Sequence, residues 1–113
     1  MRQVGVLAAA GIISLERMIK RLGDDHLRAK KLAEGLKQNP GVVLDPETPY
    51  TNMIYFNLAD SIEGNAQTVT EKMKAHGVLL DPDGSRRFRL VTHYWIDDDA
   101  VEKALYAFAQ VLK

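Results

Sequence analysis

The chain contains no cysteine, which excludes a disulfide framework, a thiol nucleophile and any thiolate metal site. That composition suits a reducing compartment, and a cytoplasmic location is the expectation. An excess of either charge is also lacking. Fifteen basic and fifteen acidic side chains cancel, leaving no long-range field to draw nucleic acid or an anionic membrane. No apolar run approaches the about 20 residues needed to cross a bilayer. Glycine-rich phosphate loops, a nucleophile-and-base arrangement and a basic aromatic surface for RNA are all missing. Asp97-Asp98-Asp99 is the one cluster of carboxylates. Consecutive positions at a helix start do not converge on one cation, and capping and the helix dipole already account for them, so no metal is expected.

What is present is a chain of 113 residues with 46% hydrophobic content, enough for one domain with a real core. From Val4 to Leu15 there is no charged residue, and the composition favours a helix despite Gly5 and Gly11. Arg2, this apolar stretch and Ala8-Ala9-Ala10 imitate a short secretory signal, but a helix of the mature protein is the preferred reading. A helix apolar all round should be covered all round. Either protein outside this chain covers one side of it, or it lies within the domain's own core.

Further along, Gly23 predicts a helix terminator, and Asp24 or Asp25 an N-cap for a second helix reaching about Gln38. His26 lies at the edge of that helix's apolar stripe, without a companion at metal-ligand spacing. Val42-Val43-Leu44 predicts a short strand, and Met53-Ile54-Tyr55-Phe56, apolar on both faces, a central one. Asn65 caps a helix from about Ala66 to Ala75 that Gly77 ends. Val78-Leu79-Leu80 predicts a further strand, turned at Asp81-Pro82-Asp83-Gly84 into a hairpin with the next. In the last helix Asp97 is the expected N-cap, with Ile96 and Val101 as a hydrophobic staple, and Val101, Ala104, Leu105, Phe108, Val111 and Leu112 as one stripe. The resulting order of four helices and four strands predicts an α+β fold: a small antiparallel or mixed sheet covered by helices on one face.

The seven residues from Arg87 to His93 form the segment on which function turns. Alternation places Phe88, Leu90 and Thr92 on one face and Arg87, Arg89, Val91 and His93 on the other. A guanidinium within an apolar run requires an anionic partner if it is buried. Either an acid of this chain supplies it, or Arg89 reaches solvent, or a ligand does.

Arg-Leu-Val-Thr-His at 89–93, followed by a short acidic segment and a terminal helix, resembles the end of the low-specificity threonine aldolases. Met1-Arg2-Gln3 with Leu7-Ala8-Ala9-Ala10-Gly11, and Thr51-Asn52-Met53, resemble segments of the same family in the same order. The resemblance implies a fold-type-I pyridoxal-phosphate enzyme, a lyase cleaving threonine or allo-threonine to glycine and acetaldehyde, with the cofactor serving as electron sink. It implies that this chain is the C-terminal small domain, with residues 1–22 packing on an absent N-terminal cofactor-binding domain and 23–113 forming the α+β unit. It further implies a homotetrameric parent acting on a small amino acid, with neither nucleic acid nor membrane as partner.

The family's cofactor lysine sits in a Ser-Lys-Gly segment, and no lysine here is followed by glycine. The chain is therefore expected to be inactive alone, with no catalytic or cofactor-binding residue of its own. Arg89 matches the family's carboxylate-binding arginine, a role suited to a two-pronged guanidinium. Weaker candidates are Arg2, Asn52 and His93. Tyr94-Trp95 departs from the Leu-Asp that commonly follows the histidine in that family. Two other readings stand beside this one: the small domain of an aminotransferase or β-eliminating lyase, and a non-catalytic module that binds a carboxylate at Arg89.

Overall fold

A computed structural model describes residues 2–113, so the part of the resemblance that falls on Met1 lies outside the described residues. Four α-helices and three strands follow in order: α1 (Val4–Ile13), α2 (Leu22–Lys37), β1 (Val42–Leu44), β2 (Met53–Leu58), α3 (Ala66–Ala75), β3 (Arg87–Val91) and α4 (Asp98–Val111). A π-helical turn, Ser14–Met18, joins α1 to the approach to α2.

The strands form one antiparallel sheet in the order β1-β2-β3. The alternation read from the sequence for β3 is observed, with Phe88 and Leu90 buried; β2, read as apolar on both faces, buries Ile54, Phe56 and Leu58 and leaves Met53 and Tyr55 partly exposed. The buried side chains of both strands meet Ala29, Leu32, Ala33 and Leu36 of α2, Val69 and Met73 of α3, and Val101, Ala107 and Phe108 of α4 in one core. Phe56 is its centre, stacked on Phe88 with ring centroids 5.2 Å apart and edge-on to Phe108 at 5.7 Å. Met53, Tyr55, Asn57, Arg87, Arg89 and Val91 project from the opposite, outer face, where they are partly or fully exposed. The α+β layer is thus as expected, with β2 central.

The helix caps also follow the sequence. Asn65 accepts from Thr68 N at 3.0 Å and Asp97 from Ala100 N at 2.8 Å. Ile96 packs on the core to which Val101 belongs, the positions a hydrophobic staple uses.

Three expectations require correction. The predicted strand at Val78-Leu79-Leu80 does not form a ladder. The chain instead makes a single bridge, Pro82 to Phe88, and Asp83 N donates to Arg87 O at 2.8 Å. Proline has no N–H with which to continue the pairing, while Val78 and Leu80 gain burial by packing directly on the core. Arg89 is placed by pairing of β3 with β2, where Tyr55 is its register partner.

Gly23 is not a terminator. It lies in the first turn of α2, after a junction of three-residue bonds, Leu22 N to Ile19 O and Asp24 N to Arg21 O. Nor do Asp24 and Asp25 cap that helix. Asp25 is drawn instead into an ion pair with Arg21 one turn earlier, and it is buried.

The position of α1 removes one of the two readings of its apolar surface. None of its residues is buried, and Val6, Leu7 and Ile12 are 71%, 61% and 54% exposed. The helix is not tucked into the core. It lengthens the molecule to 52 Å against 28 and 26 Å in the other directions, with a radius of gyration of 16.4 Å, where a compact chain of this length would have about 13 Å.

Candidate functional site

The short outer face of β3 carries two arginines with different surroundings. The Arg87 guanidinium lies 2.7 Å from Asp45 Oδ2 and rests over the Tyr55 ring at 5.2 Å. Its Nε faces Asp83 at 3.4 Å without a well-formed hydrogen bond. Arg89 is exposed, and among the described residues no acid pairs with it. Burial of Phe88 and Leu90 on the other face fixes the backbone on either side of it, so its base is rigid while its charged end is available. Such a cation suits a carboxylate, which a guanidinium receives through two parallel N–H donors.

Arg89 and His93 line a cleft of about 560 Å³ between β3, the segment Gly77 to Asp81, and α4. Its floor is apolar, with Leu32, Leu90, Val101 and Phe108, and Lys103 adds a third basic side chain at the rim. His93 is exposed, and its Nδ1 accepts a hydrogen bond from Trp95 N at 3.2 Å. Tyr94 and Trp95 meet edge to face at 4.9 Å, and Trp95 is 79% exposed.

Asn52 does not line the cleft. It ties the start of β2 to the end of β3: its Nδ2 donates to Thr92 O at 2.7 Å, and its carbonyl accepts from Thr92 N at 3.0 Å. Arg2 is exposed in the turn before α1 and is likewise not part of the cleft. The sequence candidates therefore divide, with Arg89 and His93 together, Asn52 as a strand tie, and Arg2 apart.

Sequence reasoning missed a second cluster at the same end of β3. Arg21 holds the Asp25 carboxylate with two hydrogen bonds, at 2.9 and 2.5 Å, and its guanidinium lies over the Tyr94 ring at 5.1 Å. The hydrogen bond to Asp25 raises the Arg21 pKa above its ordinary value, against an opposing effect of desolvation. Thr92 is 1% exposed, and its hydroxyl donates to the Asp25 carbonyl at 2.7 Å. The four-residue spacing of Arg21 and Asp25 on a helix was the available signal; the Gly23 between them obscured it.

Pyridoxal phosphate, the group implied by the resemblance, does not fit the described residues by themselves. Every lysine is exposed, so none is desolvated as a lysine serving as covalent anchor for the cofactor would be. No group of three or more possible metal ligands occurs among the described residues, and no helix is long and apolar enough to cross a membrane.

A family model for beta-eliminating lyases matches residues 1–61. Low-specificity L-threonine aldolase 1 of Arabidopsis thaliana is 36% identical over 112 residues, covering 99% of this chain and 31% of the relative. The low specificity L-threonine aldolase of Escherichia coli K12 is 41% identical over 93 residues, covering 82% of this chain and 26% of the relative. A probable low-specificity L-threonine aldolase 2 of Arabidopsis thaliana is 34% identical over 111 residues. The chain spans less than a third of the length of these relatives. With more than half of its residues under the family model and threonine aldolases among its relatives, this chain belongs to the beta-eliminating lyase family.

Proposed function

We propose that this chain works as the C-terminal small domain of a pyridoxal-phosphate-dependent threonine aldolase, in which it presents Arg89 to the α-carboxylate of threonine or allo-threonine. The observation that carries the reading is that Arg89, with no acid paired to it among the described residues, stands on a strand whose other face is locked into the core. Aldol cleavage requires the breaking bond to be held in one orientation, and a two-point grip on the carboxylate removes the rotation that would spoil it. Arg89 supplies that grip. The cofactor, which stabilises the negative charge left at Cα, would be held by protein outside this chain.

In this reading the exposed apolar surface of α1 is where residues 1–22 meet the cofactor-binding domain, while 23–113 form the unit that closes one side of the site. The parent is a homotetramer of the cytoplasm. The chain alone is inactive, which accords with the exposure of all its lysines. The description of the family model supports a second reading, β-elimination from an amino acid in place of aldol cleavage, with the same role for Arg89.

The test is an assay of the longer protein containing this chain for release of glycine and acetaldehyde from L-threonine, with a β-substituted amino acid as competitor substrate. Threonine cleavage is the expected result. Elimination without aldol cleavage would favour the second reading, and neither activity would remove both. The 113-residue chain mixed with pyridoxal phosphate should form no specific coloured adduct and cleave no threonine.

A further inference from the structure

We infer that Arg21, Asp25 and Thr92 form a positioning relay that acts with the β2 pairing to set where Arg89 stands, linking the joint between α1 and α2 to the end of β3. The inference rests on the carboxylate reading of Arg89.

Asp25 is the buried acid among the described residues, 2% exposed, and it engages two partners with different parts of itself. Its carboxylate takes both donors of Arg21, and its carbonyl takes the Thr92 hydroxyl. Thr92 stands three residues beyond Arg89 in the chain, and its own main-chain N–H and carbonyl are both held by Asn52. The end of β3 is thus gripped from β2 on one side and from α2 on the other. β3 is an edge strand, so without the second grip only one neighbour would fix it.

Asp25 is buried and Arg21 partly exposed, and such an ion pair adds little net stability compared with apolar residues of the same volume. Its worth at this position is geometric. Arg21 occupies the joint through which α1, with its uncovered apolar surface, runs into the domain, and its guanidinium also seats Tyr94. A guanidinium displaced from its place loses the parallel alignment of its two N–H donors with a carboxylate, and with it part of the charged hydrogen bonding that binds the substrate. A joint that moves therefore shifts Arg21, Asp25 and Thr92 together, and the base of Arg89 with them. The relay residues touch no substrate; they act through Arg89.

The experiment uses the cofactor-loaded full-length parent, with KM and kcat for L-threonine, cofactor loading and the melting midpoint measured for Thr92→Val, Thr92→Ser, Arg21→Lys and Arg89→Ala. Thr92→Val and Arg21→Lys should raise KM by about tenfold, less than Arg89→Ala does, with kcat within about twofold and full cofactor loading. Thr92→Ser keeps the hydroxyl and should restore KM. A tie that serves only stability would lower the melting midpoint of both relay variants while leaving KM at the parent value. That result, with KM raised in Arg89→Ala, overturns the relay alone. If Arg89→Ala itself leaves KM unchanged, the carboxylate reading fails and the relay falls with it. Arg21→Lys decides the matter should Thr92→Val not fold.

Discussion

Arg87 and Arg89 share the outer face of β3, and among the described residues acids of the chain pair with Arg87 and none with Arg89. Asp45, forty-two residues away in sequence, lies against the first arginine and not the second. The two therefore differ: Arg87 fastens the loop after β1 to the sheet, and Arg89 is the one that the proposed function gives to a ligand.

Replacing Arg87 with alanine leaves Asp45 without its cation and Tyr55 without its covering charge. The pair is partly solvated, so the expected loss is about 1 kcal/mol. Urea unfolding of the isolated chain measures it.

Removing the central ring has a larger effect. Phe56 is fully buried between Phe88 and Phe108, and Phe56→Ala should cost about 3–5 kcal/mol through lost burial and the cavity left behind. That is a large share of the about 5–15 kcal/mol available to a domain. The urea midpoint should fall sharply, and a shift of under about 1 kcal/mol would contradict the packing described.

Charge placed on α1 should behave in the opposite way. Leu7→Lys sits on a helix that buries nothing, so the isolated chain should keep its stability to within about 0.5 kcal/mol and should self-associate less, as size-exclusion chromatography would reveal. In the full-length parent the same change should weaken assembly. Loss of stability in the isolated chain would mean that α1 packs on its own core.

One of the two ion pairs joining α2 to α4 gives a prediction in pH. Lys31 Nζ lies 2.6 Å from Glu102 Oε1, and that hydrogen bond raises the lysine pKa in the folded state. A raised pKa means stability that is fully present below the unfolded lysine value of about 10.4 and is lost as pH rises through the folded one. Both side chains are substantially exposed, so the effect is small. The difference in melting midpoint between the parent chain and Lys31→Met should be constant from neutral pH up to about 9 and should shrink above about 10.4.

Local signals in the sequence were sufficient where local physics decides. The Asn65 and Asp97 caps, the stripe of α4 and the alternation of β3 depend on neighbours a few residues away, and all are observed. Where distant groups compete, the signals failed. Gly23 reads as a stop, yet the Arg21–Asp25 pair lies across that joint, and Thr92, sixty-seven residues on, takes up the Asp25 carbonyl. Val78 to Leu80 has strand composition but gains more from the core than from a ladder that Pro82 interrupts. The candidate site was legible through Arg89 and its alternation. Which arginine the acids would take was not, because Asp45 reaches β3 only in the folded sheet.

The most direct measurement is the KM for L-threonine of the cofactor-loaded parent carrying Arg89→Ala, set beside Arg87→Ala in the same protein. Loss of a charged carboxylate contact made on binding should raise KM by about a hundredfold in Arg89→Ala, while Arg87→Ala stays within about twofold. Equal KM values in both variants and the parent would contradict the account.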